Sequence, residues 1–122
     1  MRIFKNKWFA KFAKKEGIGR ERLIQAVKDV ETGKIDADYG GGVIKQRIGR
    51  PNEGKSGGYR AIILYCKGDK AFFVYGFAKS VMDNIDKDDV KGFKKLARVM
   101  LSASEKQLKI MLAAKELEEI EP

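Results

Sequence analysis

Hydrophobic and polar positions along the chain follow a helical period, then a period of two, then a helical period again. Between Lys5 and Lys15, Trp8, Phe9, Phe12 and Ala13 recur at one, three and four residues, the stripe of an amphipathic helix. Gly17 ends that helix and Gly19 loosens the connection. A second helix from about Arg20 to Thr32 carries Leu23, Ala26, Val27 and Val30 on one side, with Gly33 as its stop. The two helices are expected as an antiparallel pair covering one face of a sheet. Met1 to Phe4 reads as a short edge strand. Ile35 to Gly42 reads as a linker, its three glycines permitting a tight entry into the next strand.

Near Val43 the period changes to two. Alternation from Lys45 to Arg50, then the β-branched and aromatic runs Tyr59 to Cys66 and Ala71 to Ala78, describe a three-strand antiparallel meander. Strand geometry puts Lys45 and Arg47 on one face, opposite Ile44 and Ile48. Arg60 opens the second strand and Lys79 closes the third, so antiparallel order brings both to one end of the sheet. Arg50 and Lys55 lie in the glycine-rich segment beside them. Past Lys79 helical spacing returns, with Asp86 or Asp88 capping a helix to about Leu101. Ser102 and Glu105 have the spacing of a capping box and open a last helix through Ile120. The expected fold is a single α+β domain over residues 1–122. It has a twisted antiparallel sheet, two N-terminal helices packed on it, and C-terminal helices that include a helical extension over 102–122.

Charge changes the picture most. Lys and Arg number 26 against 17 Asp and Glu, a formal charge of +9 on 122 residues. Such an excess implies an anionic partner, of which nucleic acid is the commonest. The outer face of the first helix is wholly basic, with Arg2, Lys5, Lys7, Lys11, Lys14 and Lys15 before the first acid at Glu16. That face reads equally as solvated surface and as a contact surface for RNA or an acidic partner. The last helix carries a wide apolar band from Leu108 to Leu117, suited to the core on one side and a partner on the other. Its acidic end, Glu116 to Glu121, reads as solvation ahead of a tail folded over the cations. No stretch is long enough to cross a bilayer, and the N-terminus has no apolar signal core. The lone Cys66, inside an apolar strand, reads as a buried free thiol in a reducing cytosol, so a cytoplasmic location is expected.

The absence of histidine excludes histidine general-base chemistry and, with one cysteine, leaves no tetrahedral zinc set. Asp36 and Asp38 are paired carboxylates, but a glycine-flanked loop is a weak frame for octahedral magnesium. No metal or cofactor is expected. Gly54-Lys55-Ser56 lacks the earlier glycine of a phosphate-binding loop and leads into a strand, which rejects ATP or GTP binding. A glycine-rich segment carrying Lys55 can still wrap a single-stranded backbone. The groups left for chemistry are Lys45, Arg47, Arg50, Lys55, Arg60 and Lys79, with tyrosines such as Tyr59 and Tyr75. Cleaving RNA without a metal requires a deprotonated 2′-hydroxyl, neutralised phosphate oxygens and a proton for the leaving 5′-oxygen. Arginine suits the second task and a lysine among cations can serve the others. Without histidine such a site depends on a larger body to orient its substrate. From residue chemistry alone, an ordinary basic nucleic-acid-binding surface without catalysis is favoured.

Three segments shift that balance: Gly41 to Pro51, Gly54 to Arg60, and Phe73 to Lys79. With Trp8, Phe9 and the stretch from Ile35 to Gly42, they closely resemble the bacterial type II toxins of the RelE/ParE superfamily, nearest to the HigB-like branch. The resemblance implies a RelE-like α+β toxin that enters the ribosomal A site against 16S ribosomal RNA. There it cuts mRNA as a metal-independent endoribonuclease, leaving a 2′,3′-cyclic phosphate, until a cognate antitoxin of the HigA or a similar type blocks it. It also implies catalytic roles for Lys45, Arg47, Arg60 and Lys79, with Arg60 on the scissile phosphate. Arg50, Lys55 and Tyr59 become RNA-binding candidates. The chain departs from the pattern at Ser80, where some members have arginine, and near Asp86, where they have tyrosine; Tyr75 or Lys79 would then stand in as the acid. The alternatives are a ParE-like gyrase poison and a non-catalytic basic RNA-binding protein.

Overall fold

The computed structural model describes residues 1–49, 58–80 and 84–121. Chain order is β1 (Arg2–Asn6), α1 (Lys7–Glu16), α2 (Arg20–Glu31), β2 (Ala37–Gly40), β3 (Val43–Ile48), β4 (Tyr59–Cys66) and β5 (Lys70–Ala78). After these come α3 (Lys87–Met100), α4 (Glu105–Ala113) and β6 (Leu117–Ile120). Among the described residues the strands form one sheet in the order β2-β3-β4-β5-β1-β6. The fold is α+β, a sheet with helices on both faces.

The meander β3-β4-β5 is antiparallel, with Arg47 opposite Arg60 and Arg60 opposite Phe77. The sheet as a whole is mixed, because β1 runs parallel to β5. Nor is β1 an edge: it lies between β5 and β6, and its Phe4 is fully buried, stacked on Phe72 at 5.0 Å. A strand buried on both sides needs apolar residues, which Ile3 and Phe4 supply.

Each face has its own core. Phe9, Ala13, Leu23, Val27 and Val30 of the first two helices pack on Ile44, Ile48, Ile63 and Phe73. On the other face Val43, Ile62, Leu64, Phe72 and Phe77 meet Ala97 of α3 and Leu108 of α4. Asn6 governs the junction between β1 and α1. Its side-chain oxygen accepts from the Phe9 N–H at 2.8 Å, an N-cap, while its amide donates to the Val74 carbonyl at 3.1 Å. Gly17, at φ 70°, closes α1 through N–H bonds to Ala13 and Lys14.

Two sequence expectations change at the ends of the chain's middle and tail. Residues 37–40 are a strand, not a linker, paired antiparallel with β3 through a turn of three glycines at positive φ. That turn is tight because α3 packs on it; a Cβ on Gly42 would lie 2.6 Å from Leu101 Cδ1. The last helix is shorter than its apolar spacing suggests. Its capping box is Ser104 with Gln107, and it ends at Ala113; Lys115 takes φ 59° and the chain returns as β6 along β1. The acids of this tail pair with basic residues of β1, Glu119 with Arg2 at 2.9 Å and Glu118 with Lys5 at 3.5 Å, and so do not cover the central cations. Cys66 is a free thiol at the end of β4, half-buried and not enclosed.

Gly76 lies directly under the Phe12 ring of α1. A Cβ there would lie 2.5 Å from a Phe12 ring carbon, though the backbone conformation is ordinary. Gly76→Ala should therefore lower stability by about 1–3 kcal/mol through overpacking. Thermal unfolding of Gly76→Ala, Phe12→Leu and the double variant checks this. The double variant should lose less than the two single losses combined.

Candidate functional site

Lys45 and Arg47 alternate outward from β3, and Arg60 lies directly across from Arg47 on β4. Three cations on neighbouring strands need a counter-charge, and Asp36 provides it from just ahead of β2. Its Oδ1 accepts from Arg47 Nε at 3.1 Å, and its Oδ2 lies 3.4 Å from both Lys45 Nζ and Arg60 Nε. Burial alone pushes the Asp36 carboxyl up, but the Arg47 hydrogen bond and the Lys45 and Arg60 charges outweigh it and hold the group below its ordinary value. A carboxylate so held is a poor base and a firm counter-ion.

Gln46 sets Asp36 in place. Its side chain is buried on the α1–α2 face, donating to the carbonyls of Ala26 at 3.2 Å and Lys34 at 2.7 Å, and accepting from the Asp36 N–H at 3.2 Å. Sequence reading missed both residues. Asp36 was weighed only as a metal ligand, although it is one of the two carboxylates in the stretch leading to the sheet. Gln46 sits between Ile44 and Ile48 on the apolar face, where a polar residue signals a buried hydrogen-bonding task.

The three cations differ in access. Arg60 is 3% exposed, with Nη1 donating to the Tyr59 carbonyl at 3.2 Å, whereas the Arg47 side chain is 50% exposed. Arg47 fronts a cavity of about 320 Å³ shared with Asp29, Lys34, Ile35, Asp36 and Gln46. Lys45 is largely covered and also donates to Asn84 Oδ1 at 3.3 Å, which accepts from Tyr39 Oη at 2.7 Å. Burial, then the Asp36 charge, pushes the Tyr39 phenol above its ordinary value. Asn84 and Tyr39 therefore join the site, a contact that neither residue type nor spacing announces.

Lys79 follows β5 and is exposed; its backbone N–H bonds the Gly58 carbonyl at 3.1 Å, which places it at the Tyr59–Arg60 end of the sheet. Tyr75 is half-buried among the rings of Trp8, Phe77 and Phe93. Tyr59, read as an RNA contact, lies on the α1–α2 face. It is 6% exposed, its ring edge-on to Phe12 at 5.8 Å and its hydroxyl donating to Glu16 at 2.9 Å. Alternation accounts for this placement, since Tyr59 is one residue from Arg60 and so faces the other way. Arg50 and Lys55 lie outside the described residues. Among the described residues no three His, Cys, Asp or Glu side chains converge to hold a metal, and no helix is long and apolar enough to cross a membrane.

Removing the counter-ion leaves three cations facing one another. Asp36→Asn should cost roughly 2–3 kcal/mol at neutral pH. Because the folded-state pKa is depressed, this stabilisation is fully present above the unfolded value of about 4 and is lost as pH falls through the folded one. Denaturant unfolding at a series of pH values should show the gap between wild type and Asp36→Asn closing below about pH 4.

Residues 1–120 match the family model described as the RelE toxin of the RelE / RelB toxin-antitoxin system. No curated protein and no solved structure matches the chain. The family match takes in every described strand and helix, including the Asp36, Lys45, Arg47 and Arg60 cluster. The chain belongs to the RelE toxin family.

Proposed function

We propose that this chain is the toxin of a type II toxin-antitoxin pair, of the HigB-like branch, and that it cuts mRNA in the ribosomal A site. The observation that carries the reading is the cation cluster around Asp36: among the described residues three basic side chains converge on this carboxylate, a setting that draws a phosphodiester. In the proposed reaction the RNA 2′-hydroxyl gives up its proton and its oxygen attacks the adjacent phosphorus. The bond to the 5′-oxygen breaks, that oxygen takes a proton, and the product ends in a 2′,3′-cyclic phosphate.

Arg47, exposed and held at Nε by Asp36, keeps its terminal nitrogens for the phosphate oxygens. Arg60 and Lys45 act from behind it. Charges in a buried setting are less screened than exposed ones, so they stabilise negative charge developing on the phosphate without touching it. Lys79, exposed at the end of β5, is the candidate for proton transfer to the leaving oxygen. Orientation by the ribosome supplies what a histidine-free site lacks.

Inhibition by an antitoxin completes the reading. α3 and α4 leave a groove lined by Arg98, Val99, Met100, Ile110 and Met111, with Val99 66% and Ile110 59% exposed. An acidic segment with an apolar face is the proposed occupant, its carboxylates meeting Arg98 and the lysines of both helices.

Cleavage of a defined message on programmed ribosomes, mapped by primer extension beside the same message free in solution, tests the reading. Wild type should cut on the ribosome and scarcely off it. Arg47→Ala should cut about 10²-fold more slowly while keeping its thermal stability. Arg60→Ala should lose a similar factor and be less stable, because it removes a buried partner of Asp36. Equal cutting in both settings, or full-rate Arg47→Ala, would overturn the assignment.

A further inference from the structure

Trp8 is 45% exposed, yet it is held firmly. Its ring meets Tyr75 at 4.6 Å and an interplanar angle of 31°, and lies stacked on Phe12 at 5.4 Å and 15°. Tyr75 is backed in turn by Phe93 of α3 at 6.0 Å. The placement follows from Asn6, which ties the start of α1 to Val74, just past the last pairing of β1 with β5 at Lys5 and Phe73. The indole is thus delivered to the edge of β5 that β1 leaves uncovered. Core packing does not require it, since Phe9 and Ala13 fill that role for the same helix.

Charge surrounds this ring. Lys11 and Lys15 follow Trp8 at i+3 and i+7, on the same side of α1, and both are exposed. On the other flank, sheet register puts Tyr75 opposite Ile62, and Ile62 opposite Lys45. With strands about 4.8 Å apart, the aromatic shelf stands roughly 10 Å from the cation row. A few nucleotides of extended strand cover that distance.

We infer that Trp8 and Tyr75 form a stacking platform for an unpaired base of single-stranded RNA whose backbone is gripped at Arg47. The inference rests on the RNA reading above and names a subsite within it. Every base offers a flat π-face, so the platform takes RNA without choosing a sequence. A ring already fixed by two others loses little freedom when a base settles on it. Alternating base and phosphate match a shelf beside a cation row better than an acidic peptide does. Tyr75 then holds the base from below and takes no part in proton transfer.

Trp8 is the sole tryptophan of the chain, so its emission reports the platform directly. The probes are a short single-stranded RNA with 2′-O-methyl groups, which cannot be cut, and an abasic strand of the same length and charge. The base-bearing strand should quench Trp8 emission and bind roughly tenfold more tightly than the abasic one. Trp8→Ala should bind both strands alike, and Trp8→Phe should keep part of the preference. Equal binding of the two strands by wild type, unchanged emission at saturation, or a preference retained by Trp8→Ala would overturn the platform. So would quenching by an acidic peptide with no response to RNA, which would mark a protein contact instead. The wild-type comparison decides the matter even if Trp8→Ala folds poorly. Message cutting on ribosomes, measured alongside, separates the two proposals: cutting without a Trp8 response removes only the platform, and a response without cutting removes only the nuclease.

Discussion

Like charges on adjacent strands repel, and the centre of this molecule is arranged around that repulsion. Directly opposed residues in an antiparallel pair have Cβ atoms roughly 5 Å apart. Arg47 and Arg60 are such a pair, with Lys45 two residues away on the same face. Asp36 makes the arrangement tolerable by entering from just ahead of the neighbouring strand and facing all three. Its own position depends on Gln46, whose side chain lies on the opposite face of the sheet and ties residues 34–36 to the Ala26 carbonyl of α2. The cationic site and the helix layer behind it are therefore one mechanical unit.

The same constraint separates what could be read along the chain from what could not. Alternation on one strand is local, so the shared face of Lys45 and Arg47, and the meander carrying Arg60, were legible. So were α1, with its glycine stop, and α3, capped by Asp86. The counter-ion was not, because Asp36 meets its partners through pairing of β2 with β3 and β3 with β4, and register has no signature within a single segment. A short strand of Ala37-Asp38-Tyr39-Gly40 has little intrinsic β preference either. Its strand form comes from the edge of β3, not from its own residues.

The tail misled for a related reason. Ile110, Ala113, Ala114 and Leu117 keep helical spacing, and nothing in that spacing separates the first three, on α4 and its cap, from Leu117, buried in β6. The break comes at Lys115, a left-handed residue without the glycine that usually marks one. What fixes it is tertiary: β1 presents an unpaired edge, and its Arg2 and Lys5 offer partners to Glu119 and Glu118. An exposed pair of this kind adds little stability alone, but it matches register along a strand already bound through its backbone.

Buried and exposed cations have unlike uses, and this site has both. An exposed arginine can grip a phosphate but is hydrated before it does so, and much of its gain is lost to the water it sheds. A buried arginine has met that cost during folding, and its orientation is fixed when substrate arrives. Arg60 is of the second kind, Arg47 of the first, and the Asp36 carboxylate meets both. On the proposed reading, RNA phosphate enters where Asp36 has already concentrated the charge without fully cancelling it. A neutral residue at that position would leave the cations to splay apart, and a second carboxylate would cancel the field. On that reading Asp36, shared by three bases among the described residues, holds the array together for a polyanion to meet.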